Sequence, residues 1–182
     1  FTQVDVVDPD PLAPFFFRRQ HPEIKVRWNH QDYLVRNDGS WIPQGLDELR
    51  AEYPGATFFF ANLIGQLPLV VTQPKLTNPE AWRHWRDAWW NFFAQVRWVS
   101  AHDLFSAPRS PRHLLTLQAA DLTASDFVQG LYGDQPLSVT DHLTYDLFPT
   151  KARRHRLLWP LTTERCHVVE VALPAPTGSK DI

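Results

Sequence analysis

The 182-residue chain lacks most of the patterns that assign a protein to a functional class. It contains no methionine and a single cysteine, Cys166, so an internal disulfide framework is excluded. Its seven glycines are scattered singly, and no glycine-rich phosphate loop appears. No G-x-S-x-G, HExxH or paired Cys/His spacing appears either. The sequence therefore predicts no nucleotide-dependent chemistry and no cofactor.

Charge and hydropathy exclude two further classes. Eighteen basic against twenty acidic residues give a net charge of −2, without the broad positive surface of a nucleic-acid-binding protein. The longest apolar stretch, 56–71, is interrupted by polar residues and Pro68, and it is shorter than a membrane-spanning helix. Phe1 is not a translation start, so we expect processing or trimming before it. These features predict a soluble protein, with the cytoplasm as the favoured compartment.

What the chain does contain is a folded-domain composition rich in aromatic residues. It is 43% hydrophobic and 21% charged, with 16 prolines, 12 phenylalanines and 8 tryptophans. Residues 1–14 hold three aspartates, three prolines and no basic residue, which predicts an extended lead-in segment. We expect a single globular domain over 15–176 and a flexible tail at 177–182.

The clearest local signal is a long tryptophan-rich helix over about 79–99. Asn78 supplies a capping oxygen, Pro79 suits the first helical position, and Glu80 complements the positive end of the helix dipole. Apolar residues then recur at spacings of three and four, with polar residues on the other side. With strands on both sides, the pattern predicts an α+β fold in which an antiparallel or mixed sheet packs against this helix.

The remaining elements follow from alternation and turn residues. One or two short helices are predicted, at 46–53 and 125–132. Residues 105–112 are predicted to form a loop because they contain two prolines. Strands are predicted at 24–28 and 33–35, which form a hairpin, and at 57–63, 67–72, 113–119, 137–147 and 166–173.

The abundance of aromatic residues on the helix favours a function in protein–protein contact. Trp90 and Trp98 fall outside the main apolar stripe, and Trp and Arg are enriched at interface cores. We therefore predict an interaction or assembly subunit that has no chemistry of its own. Its partner would be another protein subunit, contacted through Trp85, Trp89, Trp90 and Trp98.

The alternative prediction is an enzyme or binding domain for a small anionic molecule that bears a carboxylate. Arg154 and Arg156 follow each other at a spacing of two, so they share one face if this segment is a strand. Arginine side chains suit carboxylates and phosphates. Glu170 lies in an apolar strand, where an unpaired carboxylate is costly and requires a partner. Trp85 and Trp89 would line the pocket.

Residues 136–176 contain an arginine-bearing strand, Arg153-Arg154-His155-Arg156-Leu157, followed by the terminal strand Val168-Val169-Glu170-Val171-Ala172-Leu173-Pro174. In this arrangement they resemble the C-terminal third of chorismate pyruvate-lyases. The resemblance implies that Glu170 contacts the substrate. The chain departs from this family at the earlier strand that carries a further arginine, since 67–75 offers only Gln73 and Lys75. The tryptophan-rich helix has no counterpart there.

A metal site is the third possibility that the sequence raises. His30-Gln31-Asp32 matches the His-x-Asp half of the facial triad of non-haem iron oxygenases. The third ligand would come from His84, His102, His113 or His142. Because His21-Pro22-Glu23 matches the same pattern, we expect solvated or hydrogen-bonded histidines rather than a metal site. His167, beside Cys166, is predicted to lack a neighbouring acid.

Overall fold

The computed structural model describes residues 3–71, 78–108, 126, 129–130, 139–145 and 147–175. Its helices are α1 (Ala13–Gln20), α2 (Gly45–Glu52), α3 (Leu63–Val70) and α4 (Pro79–Gln95). Its strands are β1 (Asp5–Val7), β2 (Arg27–Asn29), β3 (Thr57–Ala61), β4 (Arg97–Ala107), β5 (Thr140–Asp141), β6 (Arg153–Pro160) and β7 (Cys166–Leu173).

The strands β3 to β7 form one mixed sheet. The strand order is β3-β4-β7-β6, with β5 paired to β4. β3 and β4 run parallel, which requires a crossover, and α3 and α4 lie in that connection. β4, β7 and β6 are antiparallel neighbours. The predicted α+β fold, with a mixed sheet and one long aromatic helix, is confirmed.

The helix α4 begins where the sequence predicts and ends four residues earlier. The Asn78 side chain accepts a hydrogen bond from the Glu80 backbone N–H at 2.9 Å. At Val96 the backbone becomes extended, and β4 begins at Arg97. Tertiary pairing decides this boundary, because 97–101 pairs in parallel with 57–61. β4 continues to Ala107, so the predicted loop at 105–112 is wrong for 105–107, and 109–112 lie outside the described residues.

The core lies between α4 and one face of the sheet, which we call the inner face. Trp89 and Phe93 of α4 contact Phe60 of β3 edge-on, with ring centroids 5.5 and 6.1 Å apart. Phe93 also packs on Trp98 of β4 at 4.5 Å. Residues 58, 60, 98, 100, 102, 168, 170 and 172 share the inner face, as the strand registers require.

Three predicted strands are absent or differently paired. The segment 67–72 was expected as a strand, but its first residues complete α3, where Ile64 and Leu67 are buried at helical spacing. A short apolar run does not distinguish a buried helix from a strand. The predicted hairpin over 24–35 does not form. Instead β2 pairs in parallel with β1, which lies inside the predicted lead-in segment.

Of the remaining predictions, one concerns a described helix and three concern segments outside the described residues. The helix predicted at 46–53 is confirmed as α2. The strand at 113–119, most of the helix at 125–132 and the tail at 177–182 lie outside the described residues. None of the helices in the described ranges has both the length and the hydropathy needed to cross a membrane.

Adjacent tryptophans of α4 should differ sharply in their contribution to stability. Trp89 is 0% exposed and Trp90 is 39% exposed. Trp89→Ala removes a fully buried ring and should lower the free energy of unfolding by about 3–5 kcal/mol. Trp90→Ala, the matched control, should cost about 1 kcal/mol or less, chiefly the cation–π contact with Arg86. Urea unfolding followed by far-ultraviolet circular dichroism measures both, and equal losses would contradict this packing.

Candidate functional site

The inner face of the sheet carries a buried glutamate among basic side chains. Glu170 lies in the middle of β7 and is 0% exposed. The strand register places it opposite His102 on β4 and Arg156 on β6. Arg154 lies two residues before Arg156, on the same face. Three adjacent strands therefore bring together four polar side chains, which we call the glutamate cluster.

Both arginines donate hydrogen bonds to the carboxylate of Glu170. Arg156 Nε donates to Oε2 at 2.9 Å, and Arg154 Nη1 donates to Oε1 at 3.3 Å. His102 Nε2 lies 3.6 Å from Oε1, and its Nδ1 is 3.0 Å from the Ser100 hydroxyl oxygen. The two guanidiniums thus compensate the charge that Glu170 brings into the core.

Arg154 also ties a neighbouring segment to the sheet. It donates to the carbonyl oxygens of Tyr145 at 2.9 Å and Phe148 at 3.1 Å. The Phe148 ring stacks on the His102 imidazole with centroids 4.5 Å apart. The segment that contains Tyr145 and Phe148 is therefore held against the sheet by one guanidinium and one ring contact.

The electrostatics of the cluster separate its two titratable groups. Burial by itself raises the pKa of Glu170, but His102, Arg154 and Arg156 outweigh burial and hold that pKa below its usual value. Burial lowers the pKa of His102, and the attraction of Glu170 offsets this only in part. At neutral pH the cluster therefore holds one carboxylate, two guanidiniums and a neutral imidazole. Its net charge is positive, which suits the binding of an anion.

A second polar cluster lies on the opposite, outer face of the same strands. Asp103 of β4, His142 after β5 and His167 of β7 each offer a ligand atom, and these atoms lie within 4.8 Å of one another. We call these three residues the Asp–His–His cluster. Asp103 and His142 are buried, and His167 is partly exposed. Among the described residues, these are the histidine and acidic side chains whose ligand atoms are close enough together to hold a metal ion.

The first turn of α3 supports this second cluster. Asn62 and Gln66 donate side-chain amide hydrogen bonds to Asp103 Oδ2 at 3.0 and 3.2 Å. The helix can lie this close because position 65 is glycine: a Cβ there would meet the backbone N and O of Asp103 at 3.0 and 3.1 Å. The Gly65 carbonyl is in turn 2.9 Å from His142 Nδ1.

The structure separates the four tryptophans predicted to contact a partner. Trp85, Trp89 and Trp98 are 0 to 2% exposed and belong to the core, because α4 turns the first two toward the sheet and Trp98 lies on the inner face of β4. A side chain without accessible surface cannot contact a partner of the folded chain. Trp90 retains exposed surface, and the Arg86 guanidinium lies 4.7 Å from its ring centroid.

Of the other site residues predicted from the sequence, some meet in the structure and others lie apart. Arg154, Arg156 and Glu170 are brought together, whereas Trp85 and Trp89 pack in the core of α4 and the sheet. The remaining two, His30 and Asp32, each have a local role. His30 Nδ1 is 2.9 Å from the Asp8 carbonyl oxygen, and Asp32 accepts the backbone N–H groups of 34 and 35.

Sequence reasoning missed Asp103 entirely and misjudged His167. It expected no acid near His167, yet Asp103 Oδ2 lies 3.1 Å from His167 Nδ1. The two residues are 64 positions apart, so no local spacing marks them, and only the pairing of β4 with β7 brings them together. Cys166 lies on the inner face and His167 on the outer, because adjacent strand residues point to opposite faces.

Comparison of the chain with protein-family models, with curated proteins and with solved structures finds no match in any of the three. The similarity of 136–176 to chorismate pyruvate-lyases thus stays a prediction from those residues.

The lowered pKa of His102 predicts how stability depends on pH. As pH falls below about 6.5, the unfolded chain binds a proton that buried His102 resists, so stability decreases. Below about pH 4.5 the unfolded chain also protonates Glu170, whereas the folded chain keeps this carboxylate ionised. Stability therefore decreases further. His102→Gln should therefore show a smaller decrease in melting temperature between pH 7 and 5 than the unsubstituted chain. His84→Gln, at an exposed histidine, is the control, and an unchanged decrease in His102→Gln would contradict the assignment.

Proposed function

We propose that the protein is an assembly module that associates with a second copy through strand β6. β6 is the last strand of the sheet in the described part of the chain, with β7 on one side. Its outer face and the residue that follows it expose three large apolar side chains, Leu157, Trp159 and Leu161, at 44 to 49%. This exposed apolar edge is the observation that supports the proposal, and we call it the β6 edge.

The β6 edge differs from the protected edges of monomeric sheets. Such edges are usually short or carry charged residues along their length, because unpaired backbone groups invite another strand. β6 is eight residues long, and its outward-facing basic residues, Arg153 and His155, lie at its start. On the same face Leu157 lies opposite Val169 of the neighbouring strand, which is half-buried. Exposed large apolar side chains grouped on one face in this way are typical of a protein contact.

The sequence of β6 is complementary to itself in the antiparallel direction. A twofold axis at Leu157 places this residue opposite its own copy and Trp159 opposite His155, with both pairs on the outer face. On the inner face the same register sets Arg156 against Leu158, so arginines of the two copies do not oppose each other. Aromatic and aliphatic cross-strand pairs stabilise such a junction. Twofold dimers are also the commonest closed assembly.

A charge on the proposed twofold axis should abolish the dimer. Leu157→Lys places two ammonium groups opposite each other, so this variant should be monomeric where the unsubstituted chain is dimeric. Trp90→Lys, on exposed α4 surface, is the matched control and should remain dimeric. Size-exclusion chromatography with light scattering on the full chain measures the mass. A monomeric unsubstituted chain at every attainable concentration would refute the proposal.

The register can be tested separately by a disulfide. Directly opposed residues of antiparallel strands have Cα atoms about 4.5–5.5 Å apart, within the range of a disulfide. Leu157→Cys should therefore give a covalent dimer on mild oxidation, whereas Arg153→Cys, which is not opposite itself, should not. Equal cross-linking of both variants would contradict this register. The native Cys166 is present in both variants and is buried, so a difference between them comes from the introduced cysteine.

The glutamate cluster favours a second candidate function, binding of a small carboxylate or phosphate. The specific observation is that Arg154, Arg156 and Glu170, predicted for this role from the sequence, converge on one point. The Arg154 side chain is 19% exposed, more than Arg156 at 9%, so an anion would approach from the Arg154 side. Tyr145 and Phe148, rather than Trp85 and Trp89, would supply the neighbouring rings.

Binding of simple anions tests this candidate. Isothermal titration with benzoate and with inorganic phosphate should show saturable binding to the full chain, and Arg154→Gln should abolish it because one guanidinium is lost. Arg153→Gln is the matched control, because the Arg153 guanidinium is adjacent in sequence but lies on the outer face of the sheet. Absence of saturable binding, or equal binding by both variants, would exclude an anion site here.

A further inference from the structure

We propose that the Asp–His–His cluster of the outer face, Asp103, His142 and His167, binds a divalent transition-metal ion. The three side chains come from separate elements, β4, the segment after β5, and β7. Two imidazoles and one carboxylate form the ligand set of many zinc and non-haem iron centres. The proposal goes beyond assembly and beyond anion binding, and it depends on neither.

The separation of the ligand atoms is close to what a bound ion requires. They lie within 4.8 Å of one another. Ligand atoms around a tetrahedral zinc ion at 2.0–2.1 Å are roughly 3.3 Å apart. The present separations exceed that distance by about 1.5 Å at most, which is the scale of a side-chain displacement and not of a change in strand pairing.

The hydrogen bonding of His142 presets one ligand nitrogen. Its Nδ1 is 2.9 Å from the Gly65 carbonyl oxygen, which can only accept, so Nδ1 carries the proton. The lone pair is then on Nε2, which lies 3.2 Å from the Ser106 hydroxyl oxygen. A metal-ligating histidine typically donates its other N–H to a carbonyl or carboxylate in this way, because the bond fixes ring and tautomer.

Asp103 is oriented by two amides and still has an unsatisfied oxygen. Asn62 and Gln66 both donate to Oδ2, whereas Oδ1 is buried and accepts no hydrogen bond from any described residue. His167 Nδ1 is also unsatisfied, because its 3.1 Å approach to Oδ2 lacks hydrogen-bond geometry. Asp103 is 1% exposed, and a buried unsatisfied acceptor is costly. A cation between these atoms would satisfy both.

The chemistry of the ligands selects the class of ion. Imidazole nitrogen suits Zn²⁺, Fe²⁺, Co²⁺, Ni²⁺ and Cu²⁺, whereas Ca²⁺ and Mg²⁺ prefer all-oxygen sites. Three protein ligands leave at least one coordination position for water or another molecule. His167, with 13% of its side chain exposed, marks the accessible side of the cluster, and the Trp159 ring lies beside it at 5.9 Å between centroids.

Cobalt provides the direct test, because tetrahedral Co²⁺ has visible absorption bands that report its ligands. The full chain, treated with a chelator and dialysed, should bind one equivalent of Co²⁺, and Zn²⁺ should displace it. His142→Ala and His167→Gln should each lower the affinity by about 100-fold or more, since loss of an outer-shell partner alone costs 10–100-fold. Gln66→Leu, which removes one amide from Asp103, should fall in that smaller range.

Controls separate metal binding from folding. His84→Ala removes an exposed imidazole of α4 that lies outside the cluster and should bind Co²⁺ like the unsubstituted chain. Circular dichroism verifies that each variant is folded. His167→Gln, at the partly exposed ligand, keeps the test decisive should His142→Ala unfold. A folded chain without saturable Co²⁺ and Zn²⁺ binding, or with unchanged affinity in His167→Gln, would overturn the proposal.

Discussion

The compensation of one buried carboxylate is the constraint on which the rest of the sheet depends. Glu170 lies at the centre of three strands without exposed surface, and a charge in such a place is costly unless it is paired. Arg156 and Arg154 of the last strand provide this pairing. Arg154 then extends the network to the carbonyls of Tyr145 and Phe148. One ionised group thus fixes the β6–β7 register and the position of a neighbouring segment.

Strand β4 contributes to both candidate sites, and a bulge in it changes the alternation of the residues that follow. His102 faces the inner side and Asp103 the outer, as in a regular strand. The register then shifts between Asp103 and Phe105, so that Phe105 turns into the core and Ser106 reaches the outer face opposite His167. Bulges commonly redirect side chains in this way next to functional sites. Without the shift, Ser106 would not lie beside His142.

The sequence predicted α4, α2, β7 and the alternation of Arg154 and Arg156 because each has a local signal. A cap, a helical repeat and a period of two are read from neighbouring residues. It failed at α3, where a short apolar run fits either element, and at the hairpin, since β2 pairs with a strand 22 positions earlier. It also assigned the tryptophans of the α4 stripe to a partner, although the sheet of the same chain covers them.

The sequence by itself determined the fold class, the long capped helix and the pairing requirement of Glu170, because these depend on propensity, periodicity and the cost of a buried charge. Only the tertiary structure decided which residues meet. Asp103 and His167, separated by 64 positions, lie together through the β4–β7 pairing, and His142 joins them through β5 and the carbonyl of Gly65. Such contacts arise from strand register, which no local pattern of residues specifies.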